Sequence, residues 1–289
     1  MAAVSLIGPA WRQELEVLAR AGHQSVLVAV PYIKRDEAAW FCECLRSQVE
    51  LIVMANINLD AVSSGALDLT ALQLMAGCSP RARLIALPNL HAKVFIADGR
   101  MALITSGNLT FSAFNRNIEY GVLLRQSALV RKVRGDMLAF TRLGSEVGAA
   151  TLAELMAIEG DILQATADLR SSAKTSAKRK FDEVMGRSKS LFAAAQVGNR
   201  SAHAVFGEAI QFVLERGPQT TKLIQQQVAQ MLPALCDETD YFYIRGERYG
   251  RAWKRRFRHA QLHLKRKGVL SYDPGAKVWM LAKREPDSG

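Results

Sequence analysis

The sequence predicts an α/β fold, a mixed β-sheet flanked by helices, followed by a small C-terminal domain of three helices and a β-hairpin. Three observations carry this reading. Up to about residue 125, short β-branched runs alternate with segments of helical apolar spacing, the pattern of a sheet with helices packed on it. From about residue 200 the pattern becomes helix, helix, helix and then two short apolar runs around a turn. The charge divides in the same way. Residues 1–169 hold 15 Lys and Arg against 16 Asp and Glu, whereas residues 170–289 hold 23 against 11. The net charge of +11 therefore belongs to the C-terminal part, an asymmetry that suits a polyanion-binding module beside a near-neutral domain.

In order along the chain, residues 8–21 place Trp11, Leu15, Leu18 and Ala19 at helical intervals. SVLVAVPYI (25–33) is a near-continuous apolar run, suited to a strand buried on both faces. Residues 36–46 read as a helix, ELIVMANIN (50–58) as a second strand, 67–76 as a helix and ARLIALP (82–88) as a third strand. VFIAD and MALIT then flank the turn Asp98-Gly99-Arg100, and MALIT ends at Ser106-Gly107-Asn108, so the two runs read as a tight hairpin. EYGVLLR (119–125) adds one more strand, and from about Ser127 the pattern turns helical. Residues 171–200, polar and basic at first, are expected to be a basic linker or helix extension between domains at 1–170 and 201–289.

The last segment starts with a helix at 202–216 stopped by Gly217-Pro218, and a second at 220–232 stopped by Pro233. In RYGRAWKRRFRHAQLHLKRKG (248–268), Trp253, Phe257, Ala260 and Leu264 form one face of an expected long helix. Arg248, Arg251, Lys254, Arg255, Arg258, His259 and Lys265 lie elsewhere on it. A strand, an Asp273-Pro274-Gly275 turn and a second strand follow, completing a winged helix-turn-helix order. A basic helix in that order is expected to contact double-stranded DNA.

Composition excludes several classes. No apolar run approaches the ~20 residues of a membrane span, and the N-terminus lacks a basic segment followed by a long apolar one. Cys42, Cys44, Cys78 and Cys236 have no zinc spacing and no disulfide framework. They read as free thiols in a reducing compartment, so a cytoplasmic protein without a membrane partner is expected.

His91, Lys93, Asp98, Ser106, Asn108 and Glu119 fall within thirty residues. His-x-Lys, Asp five residues after the Lys, and Ser-x-Asn at 106–108 resemble the HKD motif of the phospholipase D superfamily, with its spacing kept throughout. Thr105 stands where the family usually has Gly. Asn117-Ile118-Glu119 resembles the Asn-x-Glu element that follows the motif in the family's bacterial nucleases. A second His-x-Lys, His263-Leu264-Lys265, has Leu270 and Met280 where the motif needs Asp and Asn, so it is no copy.

The chemistry of these residue types agrees. A phosphodiester is shielded by its negative charge, so a catalyst must hold the non-bridging oxygens and supply both a nucleophile and an acid. Lys93 can hold an oxygen as a point charge, and Ser106 and Asn108 can donate hydrogen bonds. His91 can attack when neutral or protonate the leaving oxygen when charged, but not both in one step. The resemblance implies two motifs facing each other, one His forming a phosphohistidine and the other serving as acid. With one motif per chain, it implies a homodimer with a composite site on the twofold axis. It further implies Glu119 orienting an imidazole, Asp98 in a structural salt bridge, and no cofactor or divalent metal. The sequence-based expectation is thus a metal-independent DNA endonuclease, similar to restriction enzymes that couple such a domain to a DNA-recognition domain. A lipid phosphodiesterase and a non-catalytic DNA-binding regulator are the alternatives.

Overall fold

A computed structural model of the chain describes residues 2–8, 11–171, 175–244 and 247–282. The helix expected at 8–21, the linker at 171–200 and the C-terminal hairpin, expected over 268–283, each include residues outside that set (9–10, 172–174 and 283). Two compact units are present, Met1–Gly198 and Asn199–Gly289.

The first unit opens with β1 (Val4–Ile7), α1 (Trp11–Ala21), β2 (Ser25–Ala29), α2 (Arg35–Cys44) and β3 (Glu50–Ala55). Next come α3 (Leu59–Ser63), α4 (Leu69–Gly77), β4 (Ala82–Ala86), β5 (Val94–Ala97) and β6 (Met101–Thr105). It closes with α5 (Phe111–Asn115), β7 (Gly121–Leu124), α6 (Ser127–Phe140), β8 (Ser145–Glu146), α7 (Ala149–Ser171) and α8 (Thr175–Val197). One mixed sheet runs in the order β1-β7-β6-β5-β2-β3-β4-β8. The pairs β2–β3 and β3–β4 are parallel and the others antiparallel. Val26, Leu27, Val28 and Ala29 are all nearly inaccessible, as a strand covered on both faces requires. Trp11, Leu15 and Leu18 of α1 and Phe41 of α2 join Val26 and Val28 in the core.

The strand directions decide where the chemistry falls. β2, β3 and β4 run one way, so β5 enters, β6 leaves and β7 enters at the edge where the parallel strands end. The segments just before β5, just after β6 and just before β7 carry His91, Ser106 and Glu119, and they therefore meet at that edge. This is where open α/β sheets bind ligands. Asp98 belongs to the opposite edge. It and Gly99 both have positive φ (52° and 62°), with Arg100 N–H donating to Ala97 O at 2.9 Å, in the three-residue loop between the paired Ala97 and Met101.

Asp98 accepts hydrogen bonds from the backbone N–H groups of His23, Gln24 and Ser25 at 3.0, 2.8 and 2.9 Å. The structural role expected for it is thus performed on backbone amides leading into β2 rather than in a salt bridge. Burial acts to raise its pKa, but the three amide bonds outweigh it and the net shift is downward. A depressed carboxylate stabilises the fold above its unfolded value of about 3.9 and loses that contribution as pH falls through the folded value. Asp98→Asn is expected to cost about 1–3 kcal/mol at neutral pH. In denaturant titrations the deficit should shrink below pH ~4.

Of the two readings of this stretch, a basic linker or a helix extension, residues 175–197 take the helical one. They form a 23-residue helix packed along α7, with Val184, Ser188, Phe192 and Ala195 buried at helical spacing. The buried Gln196 side chain donates to Ile57 O at 3.0 Å. The apolar stripe is narrow and interrupted by Lys, Arg and Ser, which is why composition alone suggested a solvated segment.

The second unit holds α9 (Ala202–Leu214), α10 (Thr221–Met231), β9 (Tyr241–Ile244), β10 (Glu247–Arg251), α11 (Ala252–Arg266), β11 (Leu270–Asp273) and β12 (Val278–Leu281). β11 and β12 form the expected hairpin, and Gln219, between α9 and α10, exchanges two backbone hydrogen bonds with Trp279 of β12. Trp253, Phe257, Ala260 and Leu264 are buried together as expected. The helix is shorter than expected, however. Residues 248–251 pair with β9 through a bulge between Arg248 and Gly250, so Arg248 and Arg251 lie on a ribbon. The run Tyr241–Ile244 supplies that ribbon's other strand.

Candidate active site

At the edge where β5 begins, His91 is exposed and Lys93 buried. The Lys93 ammonium donates to His91 O at 2.9 Å and lies 3.3 Å from both Nδ1 and Nε2 of the same residue. Burial holds the Lys93 pKa below its ordinary value, against the opposing attraction of Glu119. Ser106 donates to Glu119 through a short hydrogen bond and accepts from Tyr120 N–H at 3.0 Å. The other carboxylate oxygen of Glu119 accepts from Asn117 Nδ2 at 3.0 Å. Within one chain, then, Glu119 bonds Ser106 and Asn117, and Lys93 is the group against the His91 ring.

Asn108 sits on the loop after β6, which is fastened by Lys34 N–H to Leu109 O at 2.8 Å. Its carboxamide oxygen is buried without a partner among the described residues, leaving hydrogen-bonding capacity open beside the site. Thr105, the departure from the motif, is accommodated by the strand opposite. It pairs with Gly121, where a Cβ would come within 3.0 Å of the Thr105 Cβ and 2.4 Å of Ile104 O. Gly121 was missed in the sequence, where a Gly opening a strand was the available signal for close backbone approach. Asn117 stood out in the sequence only as part of a motif, and its hydrogen bond to Glu119 is set by the fold of the loop before β7.

Lys93→Met tests the balance at this site. If the Lys93 charge holds a phosphate oxygen, its loss should lower phosphodiester cleavage about 10²–10³-fold. The melting temperature should hold or rise, because a desolvated ammonium gives way to an apolar chain of similar length. A clear fall in melting temperature would show that Lys93 is needed mainly for folding.

The seven basic residues expected to meet DNA are all in the second unit. Arg248, Lys254, Arg255, Arg258, His259 and Lys265 are exposed. Arg251 is half-buried, paired with Glu238 at 2.9 Å and stacked 3.9 Å from the Tyr241 ring centroid, so it fixes the ribbon to the base of α11. Among the described residues no group of three or more His, Cys, Asp or Glu is placed to hold a metal ion. None of their helices is long and apolar enough to cross a membrane.

Comparison with known proteins follows the same lines. The family described as "Cardiolipin synthase, PLD-like domain" matches residues 15–140. Among solved structures, a phospholipase D family member, Nuc, from Salmonella typhimurium is 16% identical over 50% of this chain and 98% of its own, with a TM-score of 0.42. NucT from Helicobacter pylori is 16% identical over 50% and 98%, with a TM-score of 0.41. A phosphatidylserine synthase from Haemophilus influenzae is 15% identical over 46% of this chain and 37% of its own, at 0.36. No curated protein matches. The family match spans β2 through β7 and every residue of the His91–Glu119 constellation, so residues 15–140 are similar to a phospholipase-D-like domain.

Proposed function

We propose that the chain is a metal-independent DNA endonuclease that works through a phosphohistidine at a site assembled from two copies. The observation that carries this reading is the His91–Lys93 pair, an exposed imidazole with a buried ammonium 3.3 Å from both ring nitrogens. A phosphate oxygen approaching the ammonium brings phosphorus within reach of the ring.

In the first step the neutral His91 nitrogen bonds to phosphorus and the bond to the leaving oxygen breaks. That oxygen takes a proton from the protonated His91 of the partner subunit. In the second step water attacks phosphorus, gives its proton to the now neutral His91 of the partner subunit, and the P–N bond breaks. Lys93, with Asn108, holds the oxygens on which charge accumulates. Ser106 and Asn117 fix Glu119 at the rim, from where its carboxylate supports a charged imidazole across the twofold axis.

DNA as substrate rests on the second unit. Residues 199–289 hold 16 Lys and Arg against 9 Asp and Glu, and three helices plus the β11–β12 hairpin fit a winged helix. Lys254, Arg255, Arg258 and His259 share an exposed stretch of α11 suited to the major groove. The test is incubation with plasmid DNA in excess EDTA, beside liposomes of anionic phospholipid. Cleavage of the plasmid without headgroup release is the expected result. Headgroup release without DNA cleavage would replace this reading by a lipid phosphodiesterase.

A further inference from the structure

None of the described side chains of the β9–β10 ribbon is fully buried, yet the ribbon carries three tyrosines and a phenylalanine. Tyr243 and Tyr249 are each 61% exposed. Tyr243 lies opposite the exposed Arg248, while Tyr249 falls at the bulge, where an unpaired residue can be re-aimed outward. Their neighbours are already arranged as stacks. Arg248 and Arg251 lie over Tyr241 at 4.4 and 3.9 Å. Arg255 lies over Phe242 at 5.1 Å, and Tyr249 stacks on Phe242 at 6.3 Å and 30°. A two-stranded ribbon alone is marginal in water. This one is anchored through Glu238, which accepts from both Arg251 and Trp253 Nε1 at 2.9 and 3.0 Å.

We propose that this ribbon is a stacking platform for unpaired nucleic-acid bases, so that the second unit binds a junction between duplex and single strand. The inference rests on the nucleic-acid reading above and goes beyond it in naming the form of the substrate. Base pairs inside a duplex cover each other's faces and offer a tyrosine ring nothing to stack on. Bases of a single strand expose those faces and stack on aromatic side chains whatever their sequence. The interleaved guanidiniums supply the charge that a backbone passing over the rings requires. Exposed cations of α11, which follows β10 directly, then hold the adjoining duplex phosphates.

The test uses the full chain carrying His91→Ala, in EDTA, with a blunt duplex and the same duplex bearing a single-stranded overhang that contains a fluorescent adenine analogue. The parent should bind the overhang substrate more tightly and quench the analogue. Tyr243→Ala and Tyr249→Ala should each weaken overhang binding about tenfold and abolish the quench, while changing blunt-duplex binding less than about twofold. The Phe replacements should behave as the parent, because the ring and not the hydroxyl does the stacking. Equal losses on both substrates, an absent quench, or Phe variants as weak as Ala variants would overturn the proposal. A chain that binds neither substrate would overturn the nucleic-acid reading together with it. Intact overhang preference, together with no cleavage by the unsubstituted chain, would sink only the catalytic reading.

Discussion

His91→Ala is expected to lower phosphodiester cleavage by about 10³-fold or more while leaving DNA affinity unchanged. The size follows from the roles assigned to one residue type at two positions. In a homodimer the substitution removes nucleophile and acid together, and no neighbouring side chain supplies either. Folding should survive, because His91 is exposed and its contacts to Lys93 also include a backbone carbonyl that the Ala retains. Affinity should survive because the cations proposed to meet phosphate lie in the second unit. Gel-shift and cleavage assays on one preparation separate the two effects. Unchanged cleavage would show that the chemistry does not depend on His91.

Removing residues 199–289 should have the converse effect. The truncated chain is expected to stay a dimer and to hydrolyse a small activated phosphodiester, but to lose tight DNA binding. For the full chain, affinity should fall about 10³-fold between ~50 and ~200 mM salt if at least six phosphates are contacted, and the truncated chain should show a much flatter dependence. The cut must fall after Gly198. Stopping at 170 removes α8, whose Phe192 and Ala195 belong to the first unit's core, and should destabilise that unit whatever its chemistry. A truncated dimer that binds DNA as tightly as the full chain would move the DNA surface into the first unit. A truncated monomer would remove the composite site.

The strands and the motif were legible because their signals are local. β5 and β6 are short apolar runs joined by Asp98-Gly99-Arg100, and the residues around them share one edge as soon as the hairpin is drawn. Features that depend on distant pairing were not legible. β1 has only four residues, and its partner β7 lies more than a hundred residues away. α8 hides its buried stripe under a basic surface. Arg248 and Arg251 continue the helical pattern of α11 in sequence, but Tyr241–Ile244 captures them into a ribbon. At the site itself the residue types were readable, whereas the hold of Ser106 on Glu119, the amides around Asp98 and the allowance made by Gly121 for Thr105 all cross between separate segments.

The claim on which the rest depends is that one chain provides half of an active site. Wild-type and His91→Ala chains, mixed in equal amounts and allowed to exchange subunits, test it most directly. If each productive site needs His91 from both copies, only wild-type pairs cleave, and activity settles at about a quarter of that of the same total wild-type protein. Activity at about half, rising linearly with the wild-type fraction, would show that each chain carries a complete site and would contradict the account.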